Sequence, residues 1–155
     1  MIASPNYALH TLDGDDSDAE GAPAGPPGSG EIEDLFERYY TGIGRPFIGR
    51  DLNGRSDYAP FMAAGIPVGG LFTGADGIKT EAEAEKFGGQ AGMAYDECYH
   101  LACDTIANVN DAALEVNFGA VKNAAEVWAQ SEVLPGTASR RPVDASEDGH
   151  HALIK

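Results

Sequence analysis

The chain has 155 residues, with 25 Asp and Glu against 10 Lys and Arg, and a formal net charge of −15 at pH 7. This length suits one domain, and this charge repels phosphate backbones, which argues against a nucleic-acid partner. No run of about 18 apolar residues is present to span a membrane. The 20 Gly and 9 Pro exceed what a simple helical bundle needs. The composition indicates an acidic, loop-rich globular domain and names no function.

The first third of the chain predicts a strand, a long loop and a helix. Residues 6–12 alternate weakly and predict the strand. Residues 13–30 are acidic and then rich in Pro and Gly, which predicts an exposed, mobile loop. Calcium binding is the alternative for this loop, because carboxylates suit calcium even though their spacing is irregular. Five apolar residues then share one face of a helix that begins near Ser29 and ends at Gly42 to Gly44: Ile32, Leu35, Phe36, Tyr39 and Tyr40.

The middle of the chain predicts short elements. Residues 46–48 are a strand candidate, and Ser56 or Asp57 is placed to cap a short helix that reaches Ala64. Residues 66–72 (IPVGGLF) predict a buried strand whose two glycines allow a close backbone approach. Residues 81–87 predict a short acidic helix, and residues 88–103 predict a loop.

The last helix has the strongest pattern. Asn110 is its predicted cap, and it ends before Pro135. Strands alternate with helices along the chain, so the fold class is α/β. Residues 135–155 predict a polar tail. The predicted buried stripe of the last helix comprises Leu114, Phe118, Val121, Ala125 and Trp128.

Candidate chemistry centres on His100, which lies beside Tyr99 between two cysteines. Imidazole suits zinc, and a Tyr hydroxyl can stabilise an oxyanion. One His cannot hold zinc alone, because a zinc site needs three or four protein ligands. Cys98 and Cys103 do not have the CxxC spacing. From spacing alone they form a disulfide in an oxidising compartment and remain thiols in a cytosol.

A second candidate is the loop around Arg55, which follows Gly54 and precedes a predicted helix. Backbone donors and a guanidinium meet there, a combination that can bind a carbonyl or carboxylate. The alternative is a surface Arg beside an ordinary helix cap. Of the other histidines, His10 on a strand is expected to be structural. The adjacent pair His150 and His151 in the tail is expected to be solvated.

Three motifs in a fixed order resemble one enzyme family. They are RSDYAPF at 55–61, GIPVGGLFTG at 65–74 and GGQAGMAYDECYHLACD at 88–104. Together they resemble the C-terminal part of the secreted bacterial di-zinc aminopeptidases, peptidase family 28 of clan MH. The resemblance covers residues 53–117 and continues weakly along the last helix. The opening MIASPN also resembles the segment that follows a metal-binding Asp in that family.

The resemblance implies a fold and a mechanism. Residues 1–134 would be a partial catalytic domain, the C-terminal half of a three-layer α/β peptidase with a mixed sheet, similar to phosphorylases and hydrolases. The complete family site holds two zinc ions through two His, a bridging Asp, a further Asp and a Glu. A separate Glu acts as general base while water attacks the first peptide carbonyl of a substrate with a free N-terminus, and a Tyr stabilises the oxyanion.

Carried to this sequence, the resemblance assigns roles to individual residues of the cysteine-framed loop. His100 matches the last zinc ligand, and Tyr99 matches the oxyanion-stabilising Tyr. Cys98 and Cys103 match a disulfide that frames the loop.

The resemblance assigns further roles outside that loop. Gly54 and Arg55 match the loop that contacts bound substrate. Phe72 matches one wall of the pocket for the N-terminal side chain, which suggests an apolar residue such as Leu. Asp57 and Asp104 match structural positions rather than zinc ligands.

The departures from the family pattern concern most of the zinc site. The other four ligands and the general base lie upstream in the family, the last of them immediately before the position of Met1. We therefore expect a C-terminal portion of a secreted zinc aminopeptidase, from an internal start or a fragment. This portion would be inactive alone and would need an N-terminal half. Secretion is implied by the family and the cysteines, with any signal peptide lying upstream.

A calcium site near the last helix is another family property. In the family two acidic residues hold that ion, and the matching positions here are Glu115 and Gly119. Only one carboxylate remains, which makes calcium binding at this place doubtful.

Two rival hypotheses remain open. The chain could be a non-catalytic module that binds peptides or another subunit through the Arg55 and Phe72 pocket. Alternatively, the missing half could be supplied in trans by a separate polypeptide. The expected partners are peptides with a free N-terminus, with no nucleic acid and no membrane.

Overall fold

The computed structural model of the protein describes residues 1–18 and 21–137. Within them the chain forms three strands and four α-helices around a small sheet. The elements in chain order are β1 (His10–Asp13), α1 (Ser29–Gly42), β2 (Ile48–Asp51), α2 (Ala59–Ala63), β3 (Leu71–Phe72), α3 (Glu81–Phe87), a 3-10 turn (Ile106–Asn108) and α4 (Asp111–Gln130).

The sheet has the order β2-β1-β3, with β1 in the centre. Strand β1 runs parallel to β2, with His10 opposite Ile48, and antiparallel to β3, with His10 opposite Phe72. Helix α1 forms the crossover that a parallel β1–β2 pair requires. The sheet is mixed and the class is α/β, as the sequence predicts.

The N-terminal segment, residues 1–8, runs alongside the continuation of β3 and the start of α4. The Thr73 N–H donates to the Met1 carbonyl, and the Asn110 N–H donates to the Ala3 carbonyl. The buried Ser4 hydroxyl lies 2.9 Å from Thr73 Oγ1 and donates to the Gly74 carbonyl. These bonds satisfy backbone groups that would otherwise be buried without partners.

The hydrophobic core lies between β1, α1 and α4. The apolar face of α1 predicted from periodicity is largely buried, and it begins at Ser29 as expected. The Tyr40 hydroxyl is buried against α4, where it donates to Asn117 Oδ1. The buried members of the core are Leu9, Leu35, Phe36, Tyr40, Ala120 and Ala124.

The predicted buried stripe of α4 is wrong at its first four positions, including the exposed Ala125, and is confirmed at Trp128, which is half-buried and packs against the core. Phe118 is 64% exposed, and Leu114 and Val121 are also exposed. The face turned to the core instead carries Ala113, Asn117, Ala120 and Ala124. The alanines let α4 approach α1 closely. Leu114, Phe118 and Val121 point away from the core, while Val116 and Trp128 pack against it. The predicted Asn110 cap is confirmed, because its side chain accepts a hydrogen bond from the Ala113 N–H at 3.0 Å.

The short elements are confirmed in part. Helix α3 occupies the predicted residues and begins with a capping box between Thr80 and Glu83. Helix α2 is present, but neither Ser56 nor Asp57 caps it, because Tyr58 occupies the N-cap without a side-chain bond. Strand β2 starts where the predicted 46–48 strand ends. Strand β3 is two residues long, and Ile66 of the predicted run is 48% exposed.

The acidic loop after β1 is exposed at residues 15–18 and 23–24, as predicted, but it is anchored at both ends. The Gly25 N–H donates to the Gly14 carbonyl, and the Ala22 N–H donates to the Asp51 carboxylate. Most of the predicted polar tail, residues 138–155, lies outside the described residues, as do His150 and His151. No helix in the described ranges is both long enough and apolar enough to cross a membrane.

Candidate functional site

The predicted disulfide is present. Cys98 and Cys103 are bonded, with their Cα atoms 5.3 Å apart, and they close a short loop around Tyr99 and His100. Asp96 braces the start of this loop: its Oδ1 atom accepts hydrogen bonds from the Cys98 N–H at 2.8 Å and from the Asn108 side chain at 2.9 Å. The loop is therefore held by one covalent bond and by a buried carboxylate that the sequence did not single out.

His100 has an unusual backbone conformation. Its φ of 58° lies in the left-handed region, which is rare for residues other than glycine. Such strained backbone persists only where the surroundings impose it, and it concentrates at functional sites. The His100 side chain is exposed, and its ring lies 4.0 Å from the Tyr99 ring, centroid to centroid. The loop thus presents an imidazole and a phenol side by side.

The disulfide loop is attached to the end of β3 through its preceding residues. The Tyr95 N–H donates to the Gly77 carbonyl, and the Asp96 N–H donates to the Ala75 carbonyl. A Cβ on Gly74 would stand 2.1 Å from the Tyr95 ring, and Gly74 has a φ of 93°. Only glycine meets both conditions, so Gly74 of the GLFTG motif fixes where the loop leaves the sheet.

Phe72 lies on β3, half-buried, next to His10. Its carbonyl accepts a hydrogen bond from His10 Nδ1 at 3.3 Å, and the two ring centroids are 5.8 Å apart. His10 is fully buried, as expected of a structural histidine. One face of the Phe72 side chain therefore packs inside the domain, and the rest is available to solvent.

Gly54 and Arg55 lie in a tight turn before α2. Gly54 has a φ of 77°, and its N–H donates to the Tyr58 hydroxyl at 2.9 Å. The Arg55 N–H donates to the Asn53 side chain at 3.0 Å, and the Arg55 side chain is exposed. Among the contacts of the described residues, none joins this turn or Phe72 to Tyr99 or His100.

A groove of 530 Å³ runs along the near side of the disulfide loop. Its lining includes Asn6, Gln90, Tyr95, Cys98 and Asn108. Its lining does not include Gly54, Arg55 or Phe72, the residues predicted to contact substrate.

A buried polar cluster beneath Phe72 was missed from the sequence. Glu83 Oε1 accepts a hydrogen bond from the Tyr95 hydroxyl at 2.5 Å and one from Arg50 at 3.2 Å. It also lies 3.7 Å from His10 Nε2. The capping box Thr80-x-x-Glu83 was the available signal, because it fixes Glu83 at a helix start. Nothing in the sequence places Arg50, Tyr95 or His10 beside it.

The charges in this cluster shift three pKa values. Burial acts to raise the pKa of Glu83, but hydrogen bonds from Thr80 and Tyr95 and the charge of Arg50 outweigh it and lower that pKa to about 2. Burial and Arg50 lower the pKa of His10 to about 4. Burial and the Glu83 carboxylate raise the pKa of Tyr95 to about 12. At neutral pH the cluster holds a carboxylate, a guanidinium, a neutral imidazole and a neutral phenol.

The two positions matched to the family's calcium site offer a single carboxylate, that of Glu115. Glu115 is exposed on α4, and a Cβ on Gly119 would stand 2.1 Å from the Tyr39 hydroxyl. Any carboxylate-bearing side chain at position 119 would displace that Tyr. Asp104, matched to a structural position, accepts a hydrogen bond from the Asn108 side chain at 3.3 Å.

Comparison with protein families gives one match, and it covers most of the chain. The family described as Peptidase family M28 matches residues 1–125. This span includes the disulfide loop, the Gly54–Arg55 turn and β3.

Individual relatives are similar over much of this chain. A "Probable leucine aminopeptidase 2" of Aspergillus fumigatus is 53% identical over 131 residues, 84% of this chain and 26% of the relative. An "Aminopeptidase" of Pseudomonas aeruginosa is 54% identical over 121 residues, 78% of this chain and 22% of the relative. A "Leupeptin-inactivating enzyme 1" of Streptomyces exfoliatus is 43% identical over 150 residues, 94% of this chain and 31% of the relative. The chain thus spans between a fifth and a third of the length of these relatives.

Proposed function

This chain belongs to peptidase family M28, and from that premise we propose that it forms the C-terminal part of the active site of a zinc aminopeptidase. In this proposal His100 is one zinc ligand, and Tyr99 stabilises the oxyanion. The observation that carries it is the disulfide-closed loop, which presents these two side chains together on a left-handed backbone at His100. The names of two relatives as aminopeptidases support the reaction class.

The exposed imidazole of His100 suits a metal ligand. Within the described ranges, the side chain makes no hydrogen bond or ion pair, so a ring nitrogen can coordinate a cation. Zinc, when bound, supplies the Lewis acidity that polarises a carbonyl and activates water. The 155 residues contain one of the five ligands that the family resemblance implies, so the other four and the general base would come from sequence outside them.

The remaining site residues have positioning roles in the proposal. The Tyr99 hydroxyl donates a hydrogen bond to the oxygen that gains negative charge as the scissile carbonyl is attacked. Arg55, held in the Gly54 turn, contacts the substrate backbone from the exposed side of the domain. Phe72 forms an apolar wall for the N-terminal side chain, which favours leucine, in keeping with the name of the Aspergillus relative.

The decisive experiment joins this chain to its upstream sequence. The DNA before the Met1 codon is read in frame, and the joined polypeptide is expressed and assayed on leucine p-nitroanilide with zinc. We expect His100→Ala to lower kcat/KM by at least about 10³-fold. We expect Tyr99→Phe to lower kcat by about 10² to 10³-fold with KM little changed. Leu101→Ser, an exposed residue of the same loop, is the matched control and keeps full activity.

The 155-residue chain alone is expected to release no N-terminal residue, with or without zinc. Metal-dependent hydrolysis by the pure chain would contradict the proposal that the active site is completed by residues outside this chain, because one zinc ligand and no general base would then suffice. Full activity of the joined His100→Ala variant would contradict the role of His100 directly.

A non-catalytic binding module is the second candidate. The large apolar side chains exposed on α4, Leu114, Phe118 and Val121, favour it, because such surfaces often bind a partner. An upstream stop codon, together with a cooperative melt of the pure chain and saturable binding of a leucine-starting peptide, would support this module over the peptidase.

We also propose that the chain functions outside the cell. The Cys98–Cys103 disulfide supports this, because such bonds persist in oxidising compartments and are rare in the cytosol.

A further inference from the structure

Three carboxylates meet where the acidic loop passes from β1 to α1. Asp13 ends β1, Asp15 lies two residues later, and Glu33 projects from the second turn of α1. One oxygen from each lies within 4.8 Å of the other two. None of the salt bridges among the described residues gives these three a basic partner.

The Glu33 side chain is the observation that points to a ligand. Glu33 is 3% exposed, and its Oε2 atom accepts a hydrogen bond from the Gly14 N–H at 2.7 Å. Its Oε1 atom is buried and has no hydrogen-bond partner in the part of the chain that the structure describes. A buried carboxylate oxygen without a partner is costly, so a proton or a cation must compensate it.

The electrostatics around Glu33 favour added positive charge. Burial, and to a lesser extent the nearby carboxylates of Asp13, Glu37 and Asp15, raise the pKa of Glu33 to about 7 against the Gly14 hydrogen bond. Asp13 is itself only 3% exposed, so two of the three carboxylates are screened poorly by water.

The loop holds the aspartates in place by its own backbone. The Asp13 carboxylate accepts from the Ser17 N–H at 3.1 Å and from the Asp18 N–H at 2.9 Å. A Cβ on Gly14 would stand 2.3 Å from the Ser29 carbonyl carbon, so Gly14 lets the loop lie against the start of α1. Asp15 is exposed, which leaves the outer side of the cluster open to water.

Calcium fits this donor set better than the other common cations. Ca²⁺ takes six to eight oxygen ligands at about 2.3–2.6 Å, so two of its ligands can lie up to about 5 Å apart. Mg²⁺ demands a shorter, near-octahedral set, and zinc prefers nitrogen and sulfur donors. Three carboxylates of unequal exposure, with water completing the shell, match calcium.

We propose that Asp13, Asp15 and Glu33 form a calcium-binding site that ties the acidic loop to helix α1. It is separate from the His100 loop and from the Glu115–Gly119 positions on α4. A cation that binds only the folded protein raises its stability, so bound calcium would lock the β1–α1 connection and thereby the strand that centres the sheet.

The test uses the 155-residue chain at pH 8 after treatment with EDTA. Thermal unfolding is followed by circular dichroism with no cation, with 1 mM Ca²⁺ and with 1 mM Mg²⁺, and bound calcium is counted by equilibrium dialysis. We expect one Ca²⁺ per chain and a rise in Tm of about 5 °C or more, with a smaller rise in Mg²⁺.

Three variants assign the effect. Glu33→Gln and Asp15→Asn keep the shape of the side chain, and each is expected to weaken calcium binding at least about tenfold and to abolish most of the Tm rise. Asp34→Asn changes an exposed neighbour on the same helix and is the matched control. It is expected to keep both calcium binding and the Tm rise. Because Asp15 is exposed, its variant tests the site without changing the buried core.

Several results would overturn the proposal. One is the absence of calcium binding together with a Glu33→Gln variant that melts higher than the parent at pH 8, which would mean that a proton alone satisfies the site. Equal effects of Ca²⁺ and Mg²⁺, or an unchanged Tm rise in both site variants, would also overturn it. If the 155-residue chain does not fold alone, the same measurements on the polypeptide joined to its upstream sequence decide, with the same supporting and contradicting outcomes.

Discussion

The hydroxyl of Tyr39 on α1 points at the backbone of Gly119 on α4, so closely that a Cβ at position 119 would stand 2.1 Å from the oxygen. This contact sets the distance between the two helices that enclose the core.

The Tyr39–Gly119 contact predicts that the effect of Gly119→Ala on the free energy of unfolding changes sign when the Tyr39 hydroxyl is removed. Alanine in a helix interior is favoured over glycine by about 1 kcal/mol, but here the new methyl would meet the Tyr39 hydroxyl and cost about 1 to 3 kcal/mol. We expect Gly119→Ala to be neutral or destabilising in the parent chain and stabilising in a Tyr39→Phe background. Urea unfolding of the four proteins in this cycle measures the difference. Equal effects in both backgrounds would show that the hydroxyl does not limit the helix distance.

The exposed and buried faces of α4 predict opposite responses to substitution. Phe118→Gln removes an exposed ring, and we expect the free energy of unfolding to change by less than about 0.5 kcal/mol. Ala120→Leu inserts atoms into a fully buried position and is expected to cost about 1 to 3 kcal/mol. Denaturant unfolding of both variants checks this. A large loss of stability for Phe118→Gln would mean that the Phe118 side chain is buried in solution, as periodicity predicts.

The buried cluster around His10 predicts acid sensitivity. The pKa of His10 is lowered to about 4 in the fold, so the unfolded chain binds a proton near pH 6.5 that the folded chain does not. The contribution of His10 to stability is therefore full above pH 6.5 and falls as the pH drops towards 4, by about 2 kcal/mol between pH 7 and pH 5. Glu33 acts in the opposite direction over this range, because its pKa is raised to about 7 and the folded chain binds its proton more tightly than the unfolded chain. Glu83, with its pKa lowered to about 2, adds its own loss only below about pH 4.5.

The measurement for His10 is the free energy of unfolding at pH 7 and at pH 5, for the parent chain and for His10→Asn. We expect the change in the free energy of unfolding from pH 7 to pH 5 to be more favourable in the variant than in the parent by most of those 2 kcal/mol, because Glu33 contributes equally to both proteins. Identical slopes for the two proteins would mean that His10 is not the group that takes up the proton.

The Cys98–Cys103 disulfide predicts a local effect. Removing a crosslink that closes so short a loop frees unfolded-state entropy worth about 2 kcal/mol. We expect the double variant Cys98→Ser, Cys103→Ser to lose about that much stability. The amides of Leu101 and Asp104, bonded within the loop, should exchange faster with deuterium. The Lys79 amide, bonded to the Met93 carbonyl, serves as the reference and should be protected as before. Unchanged exchange in the loop would mean that Asp96 alone orders it.

Local signals predicted much of the fold. Helix α1 was predictable because five apolar residues repeat at helical spacing, and α3 was predictable because Thr80 and Glu83 form a capping box. Strand β3 was overestimated: an apolar run with two glycines looks like a strand, but only Leu71 and Phe72 pair with β1.

Helix α4 shows why the rest was not predictable. Periodicity locates the largest apolar side chains and assumes that they are buried. The face that packs on α1 instead uses small residues around Asn117, whose side chain bonds to Tyr40 and to the Ile2 carbonyl. Those partners are distant in sequence, so no local pattern reports them.

The candidate site also has one part that local sequence predicts and another part that only the tertiary fold assembles. The disulfide loop with Tyr99 and His100 could be located, because its motif is contiguous. Glu83 and the Asp13–Asp15–Glu33 cluster depend on side chains that only the tertiary fold brings together. From sequence the acidic loop offered carboxylates without regular spacing, because the third one belongs to a helix.

The long-range contacts of the N-terminal segment, residues 1–8, set the order in which this domain folds. Its bonds reach 69 residues along the chain from Ser4 to Thr73, and 115 residues from Ile2 to Asn117. Contacts of such separation form slowly, because a long loop must close before any of them is gained. During synthesis, residues 1–8 emerge well before their partners near β3 and on α4. The domain therefore completes its fold only when its last helix is available.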